Sequence, residues 1–385
     1  MKRAYKTELK VTEEQKTKIR KTIGTCRFVY NLYLDTQKTF YQETGKFMSG
    51  YDFSKWLNHK YIPDNPEKIW IKEVSSKAVK QSIMNGERAF KTFFKKQSKF
   101  PRFKKKHKQD VKAYFPKNNP KDLTVQRHRI KIPTLGWVQL KEYGYIPTDK
   151  HISSCTVSEK AGRFYVSALV DEQPAKEKFK HSEGIGIDLG IKEFATISNE
   201  EVFGNINKSK RVKKIEKKLK REQRSLSRKI LKRKRGETVT KKRANLDKNR
   251  LRVQKLQQRL SNIRTEYVKS VVNQLVKTKP EYITIEDLNI RGMMKNRHLS
   301  KAIAHQMFYK FKEYLIHKCK QFKIEIRVAD RFYPSSKTCS CCGTIKKDLK
   351  LKDRTYICPE CGTEIDRDLN AAINLKMLNA YTVLT

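Results

Sequence analysis

Between Ser335 and Leu375 the chain reads SSKTCSCCGTIKKDLKLKDRTYICPECGTEIDRDLNAAINL, with two Cys-x-x-Cys pairs, Cys339 with Cys342 and Cys358 with Cys361. Each pair is followed at once by a glycine, Gly343 and Gly362. This arrangement restricts the fold severely, because four thiolates that meet at one ion tie two tight turns to a common centre. A thiolate pair at this spacing grips one face of a tetrahedral Zn²⁺, and the glycine lets the backbone turn so that amides point at the sulfurs. Four sulfurs close the coordination shell, which predicts one structural zinc rather than a catalytic one. Cys341 has no glycine directly after it and is left out of the ligand set. Free or disulfide-bonded thiols are the alternative reading, and they fit poorly with a chain that shows no other mark of secretion.

Directly after the second pair comes Asp366-Arg367-Asp368, then an apolar, helix-forming run from Leu369 to Leu378. An acid at the head of a helix is ordinarily explained by capping and the helix dipole. Two acids earlier in the chain change that reading. Asp188 sits in the strand-like run GIGIDLGI, and Glu286 near the end of EYITIEDL. An ionised carboxylate in a buried strand costs several kcal/mol unless it is paired or coordinates a metal. The glycines around Asp188 do not make a dinucleotide site, since they lack the full G-x-G-x-x-G spacing and lie within the strand. Asp188, Glu286 and Asp368 can converge at one edge of a sheet, where they would repel one another unless divalent cations neutralised them. Hard oxygen donors suit Mg²⁺ or Mn²⁺. Two such ions roughly 4 Å apart activate water and stabilise the leaving oxygen of a phosphodiester, which is nuclease chemistry.

The charge balance agrees with that substrate. The 385 residues hold 88 Lys and Arg against 40 Asp and Glu, a formal net charge of +48. Such an excess calls for a polyanionic partner, nucleic acid first and a membrane surface second. No apolar run approaches the roughly 18 residues that would span a bilayer, and MKRAYKTELK lacks the apolar core of a signal peptide. A cytosolic location with reduced cysteines is therefore expected, and Cys26, Cys155 and Cys319 are read as inert packing residues.

In chain order, residues 3–9 alternate as one strand, and Thr12-Glu13-Glu14-Gln15 predicts a capping box that opens a helix through Ile19, Ile23, Phe28, Val29, Leu32 and Tyr33. Further helices are predicted over Phe53 to His59 and Ser75 to Lys96. From Val111 to Val170 the period changes to two, with a hairpin at Ala161-Gly162, which predicts a small β-barrel or curved sheet. A polar linker, Gln173 to Glu183, precedes the Asp188 strand. Residues 207–278 predict a basic helical hairpin interrupted at Gly236, read as an arm that tracks phosphates. A helix from Ser300 to Cys319 and a strand from Ile324 to Val328 complete an α/β domain. The expected layout is a first strand at 1–10, helices at 11–105, the barrel at 106–180, an α/β domain at 181–330, the zinc ribbon at 331–363, and a last segment at 364–385.

GIDLG, IEDL and DRDLNAA, in this order, resemble the three motifs of RuvC-like nucleases of the RNase H fold. With SSKTCSCCG and CPECG between the second and third, the whole chain resembles the TnpB family, insertion-sequence-encoded RNA-guided DNA endonucleases related to type V CRISPR effectors. The resemblance implies a multidomain α+β protein, with an RNase H-like (RuvC) α/β nuclease domain carrying a zinc-ribbon insert, a helical recognition domain and a β-barrel wedge domain. FPRFKKK looks like the family's join between recognition and wedge domains. Asp188, Glu286 and Asp368 would be the catalytic, Mg²⁺-binding residues, and Cys339, Cys342, Cys358 and Cys361 the zinc ligands. Asp287 and Asp366 would support them. A guide RNA from the transposon end and a target DNA would be the partners, with no membrane and no small-molecule substrate. Tyr51, Lys77 and Gln81 sit where the family's recognition domain contacts a short motif beside the target, in the manner of effectors that leave the remaining sequence to base pairing. Two other readings compete: an RNA-guided repressor that binds without cutting, and a resolvase or transposase that works without RNA.

Overall fold

The structure, a computed structural model, describes residues 2–106, 111–117, 122–172, 181–235, 243–350 and 352–384. It divides into two compact units, Met1–Pro174 and Ala175–Thr385. Gly236 and residues 173–180 of the polar linker lie outside the described residues.

The first unit pairs a sheet with helices. Strands β1 (Lys2–Lys10), β2 (Val111–Pro116), β3 (Val125–Gln126), β4 (Arg129–Ile132), β5 (Gly136–Leu140), β6 (Ile152–Lys160) and β7 (Arg163–Asp171) form one antiparallel sheet ordered β2-β6-β7-β1-β5-β4-β3. Alternation decides its faces. In β7, Phe164, Val166, Ala168 and Val170 are buried while their neighbours are not, and they share a core with Leu9, Phe115, Ile130 and Val138. β2 and β3 are the two edges, so among the described residues no hydrogen-bonded strand pair closes this sheet into a barrel.

Helix α1 (Glu13–Thr44) opens with the expected box: the Thr12 hydroxyl accepts from the Gln15 amide, and the Thr12 amide donates to the Gln15 side chain, both at 3.2 Å. Helices α2 (Gly50–Trp56), α3 (Ile62–Asp64) and α4 (Ser76–Phe94) pack against it around Tyr33, Phe53, Ile83 and Phe90. The predicted Phe53–His59 helix is interrupted, since α2 passes at Leu57 into a π-helical turn that runs to Tyr61.

In the second unit, strands β8 (Ile185–Leu189), β9 (Glu193–Ile197), β10 (Val202–Gly204), β11 (Tyr282–Glu286), β12 (Glu325–Ala329) and one more distal strand lie in the order β10-β9-β8-β11-β12 followed by that strand at the edge. β8, β11 and β12 are mutually parallel, and β9 and β10 continue antiparallel. Helices α5 (Lys210–Lys234) and α6 (Arg243–Lys277) make the hairpin, seamed by Val212, Ile215 and Leu260. α5 carries fourteen Lys and Arg against two Glu, so most of its charge has no partner on its own helix. The short helices α7 (Ile290–Met293) and α8 (Ser300–Gln306) lead into α9 (Phe308–Phe322), and α6 and α9 bury Val268, Val272, Phe311 and Leu315 against Ile187, Ile283 and Ile285. Strands β13 (Thr355–Ile357) and β14 (Glu364–Asp366) form a separate two-stranded ribbon. Helix α10 (Arg367–Lys376) covers the other face of β8, and β15 (Tyr381–Leu384) is the antiparallel edge beside β12. α10 thus begins two residues before the start at Leu369 that the sequence predicts, and β9, β10 and β15 are not among the predicted strands. Among the described residues no helix is long and apolar enough to cross a membrane.

Candidate functional site

Period-two alternation in two parallel strands sets the site. Ile187 in β8 and Ile283 and Ile285 in β11 face the α6–α9 layer, so Gly186, Asp188, Tyr282, Thr284 and Glu286 face α10. The register pairs Thr284 with Gly186 and Ile285 with Ile187, which brings Glu286 and Asp188 to adjacent positions at the C-terminal ends of their strands. That edge is where open α/β sheets hold ligands.

Glycine brings in the third acid. A Cβ on Gly186 would stand 2.1 Å from the Ala372 carbonyl oxygen and 2.4 Å from the Lys376 amide, so α10 rests on bare backbone there. Gly184 in turn leaves room for the Tyr282 ring, whose hydroxyl donates to the Lys376 carbonyl at 3.1 Å. Thus the C-terminal end of α10 lies by residues 184 and 282, the helix runs antiparallel to β8, and Asp368, one turn before Ala372, arrives beside Asp188. Replacing Gly186 by Ala is expected to lower the midpoint of thermal unfolding by roughly 5 °C or more, because backbone must move to admit the methyl. Gly204→Ala, where the methyl meets only the Glu193 carboxylate at 3.5 Å, is the near-neutral control. Equal midpoints for the two variants would contradict this packing.

Asp188 is only half-buried as a residue, but protein crowds its carboxyl. Loss of water, then the charges of Glu286 and Asp368, push its pKa well above the ordinary carboxylate range, and Arg367 offsets this in part. The acids have polar neighbours of their own. Ser335 donates its hydroxyl to Glu286, and Arg354 stands 3.7 Å from Asp368. Asp366 is the N-cap of α10, accepting from the amides of Asp368 and Leu369 at 2.9 and 3.1 Å. Asp287 pairs with Arg331 and with Lys312, which hold its carboxyl below the usual range. Oxygen-only donors of this kind suit Mg²⁺ or Mn²⁺.

The four cysteines singled out by spacing meet at one point. Their sulfurs all lie within 4.8 Å of one another, and among the described residues no other His, Cys, Asp or Glu group, the acidic trio included, is gathered that way. Cys339 and Cys361 sulfurs are 3.6 Å apart, and those of Cys342 and Cys358 are 3.5 Å apart. A tetrahedron with metal–sulfur bonds of about 2.3 Å has edges of about 3.8 Å, so the cluster has the size to hold one ion. The two knuckles repeat each other. Gly343 and Gly362 take φ of +78° and +71°, and their amides donate to Cys339 and Cys358 carbonyls. The Thr363 hydroxyl and amide lower the Cys361 thiol to about 6, and Thr344 lowers Cys342 in the same way. Cys341 is exposed and outside the cluster, and Cys26 and Cys319 are buried, with thiols pushed up to about 12.

Two residues missed in the sequence connect this cluster to the acids. The Asn370 amide nitrogen donates to the Thr338 carbonyl at 2.7 Å, and its oxygen accepts from the Ser340 amide at 2.9 Å. Asn374 donates to the Ser335 and Thr338 carbonyls at 2.8 and 2.7 Å. Both are buried. Their signal was present, two asparagines one turn apart on the inner face of an apolar helix.

In the first unit, Tyr51, Lys77 and Gln81 line one cavity of about 640 Å³ between α2 and α4. Lys77 is paired with Asp122, Gln81 donates to Asn85 at 3.2 Å, and the Lys80 ammonium lies 4.8 Å from the Tyr51 ring centre.

Residues 166–297 match the family described as Probable transposase, and 308–375 the one described as Cas12f1-like, TNB domain. Residues 1–46 match a Helix-turn-helix domain family, although here the stretch is a strand and one long helix. A Streptomyces pristinaespiralis protein provisionally named as an RNA-guided DNA endonuclease is 30% identical, over 97% of this chain and 89% of its own length. An Escherichia coli (strain K12) protein with the same provisional name, InsQ, is 29% identical over 97% and 91%. Among solved structures, the Cas12f1 chain of a complex with sgRNA and target DNA aligns with a TM-score of 0.55 at 15% identity, covering 94% of this chain and 83% of that one. At that identity the likeness shows a shared fold.

Proposed function

Because this chain belongs to the TnpB family, we propose that it is an RNA-guided DNA endonuclease that hydrolyses target phosphodiesters at Asp188, Glu286 and Asp368. The observation that carries this reading is the crowding of the three carboxylates around Asp188 at the C-terminal edge of β8 and β11, which the charge of Arg367 offsets only in part. Asp188, Glu286 and Asp368 would hold two Mg²⁺ ions, or Mn²⁺, which when bound supply an activated water and stabilise the leaving oxygen. The protein's own part is placement. β8 and β11 fix two acids in register, α10 fixes the third, and Ser335 orients Glu286 through its hydroxyl. Cys339, Cys342, Cys358 and Cys361 would hold one structural Zn²⁺. A guide RNA, encoded at the transposon end, would pair with the DNA, and the cations of α5, which far outnumber its acids, would follow the phosphates. Tyr51, Lys77 and Gln81, gathered on one cavity, would read the short motif beside the target.

The test is to purify the chain from cells that also express its native flanking DNA, sequence any RNA bound, and supply Mg²⁺ with a plasmid library in which randomised bases flank the matching target. Cleavage that needs the guide and one short motif supports the reading. Binding without cleavage would replace it with an RNA-guided repressor, and absence of a defined RNA with a protein-only DNA enzyme. In the same library, Gln81→Ala is expected to relax the recovered motif at one position, by roughly 1–3 kcal/mol of discrimination if the contact is to a base edge. An unchanged motif would remove Gln81 from the readers.

A further inference from the structure

The loop that follows β12, tied to the acid-bearing end of β11, holds an aromatic ring in water. Phe332 is 86% exposed, whereas no other large hydrophobic residue among those described exceeds 63%. The ring is not on a loose segment. The Phe332 amide donates to the Asp330 carboxylate at 2.8 Å, the Tyr333 amide to the Asp330 carbonyl at 3.1 Å, and the Ser335 amide to the Tyr333 carbonyl at 2.9 Å. On either side the loop is tied to the end of β11, through Arg331 to Asp287 and through Ser335 to Glu286. The strand register puts Ala329 beside Glu286. Phe332 is three residues further on, which places its backbone within roughly 15 Å of Glu286 by chain reach and strand spacing. Arg331, the residue before it and about half exposed, pairs with Asp287, and Arg354, also about half exposed, stands 3.7 Å from Asp368, so both ends of the acidic site carry a guanidinium open to solvent.

A solvent-facing ring on a tied-down loop, in a strongly basic protein, is the arrangement by which proteins hold unpaired nucleobases. We propose that Phe332 is a positioning residue on which one base of a single DNA strand stacks, so that a neighbouring phosphodiester is presented to Asp188, Glu286 and Asp368. The occupant is single-stranded because a base within a duplex has both faces covered by its neighbours. Sequence preference is not expected, since every base offers a π face. This inference rests on the nuclease reading for its purpose, but the stacking itself can be observed without cleavage.

The experiment uses the full-length chain with its bound RNA as wild type, Phe332→Ala and Phe332→Trp. All three are expected to unfold at the same temperature, since the side chain packs against little. In chelator and about 0.3 M salt, where phosphate contacts are weakened, oligothymidylate should quench the emission of F332W beyond the change seen with the three native tryptophans alone. Phe332→Ala should weaken binding of the oligonucleotide by about 5- to 150-fold, and F332W should restore it. Absence of the extra quench overturns the proposal whatever the cleavage rates are, and so does wild-type affinity in Phe332→Ala. If the quench is present and the wild type cuts nothing, the nuclease reading falls while the stacking site stands. If the wild type cuts and F332W shows no quench, the stacking site alone falls.

Discussion

Asp188→Asn is expected to reduce target cleavage by at least about a thousandfold and to leave guide-dependent DNA binding unchanged. The amide keeps the shape of the side chain but removes the charge that would hold a cation, and cations at such sites supply several kcal/mol of transition-state stabilisation. The same substitution should act oppositely on stability. In the folded chain the pKa of Asp188 is raised, so the folded state binds its proton more tightly than the unfolded state does. Stability from that protonation is present at low pH and is lost as pH rises through the raised pKa. In chelator at pH 8 the Asn variant should therefore melt higher than wild type, and the gap should close on acidification. Mg²⁺ should raise the midpoint of wild type and not of the variant. Cleavage within tenfold of wild type would rule out the assigned role.

The second large effect concerns the ribbon. Cys358→Ser, or removal of the metal by a strong thiophilic chelator, is expected to release one zinc per chain and lower cleavage by a hundredfold or more. The ribbon has little else to hold it. β13 and β14 contribute three residues each, and the buried apolar cluster is Tyr356 with Leu349 and Ile365 against the cysteines. An isolated pair of short strands is not stable in water, and in zinc-finger peptides a structural zinc contributes about 10–16 kcal/mol. The loss would reach the acids through α10, which Asn370 and Asn374 fasten to the first knuckle, and through Ser335 on Glu286. A misplacement near 1 Å is enough for a hundredfold loss. Asn374→Ala should give an intermediate loss with zinc retained, as read by metal content and cleavage together. Full cleavage by zinc-free protein would show that the ribbon is not part of the site's support.

Much of this site is legible in the sequence. A carboxylate within a glycine-rich buried strand needs an explanation wherever it occurs, and the Cys-x-x-Cys-Gly repeat carries its geometry in its spacing. Asp188 and the four cysteines could therefore be named from local chemistry alone. What remained hidden was relational. Nothing in EFATI, VFG or YTVL states which neighbour each will pair with, and strands of three to five residues owe their existence to that pairing. Nor does DLNAAIN disclose that its asparagines bind a loop thirty or more residues upstream. Gly186 was noticed as a strand glycine, but the reason for it, a helix backbone lying against it, belongs to a segment far along the chain.

That last distance sets a timetable. Asp188 leaves the ribosome 180 residues ahead of Asp368, a lag of roughly 10 to 40 s at ordinary elongation rates. In the second half of this interval the chain has made the whole basic α5–α6 hairpin but has no third acid and no α10 to lie on Gly186. Under the proposed function a nascent chain would gather nucleic acid before it could damage any, and translation that stops short of α10 would yield a protein that binds without cutting.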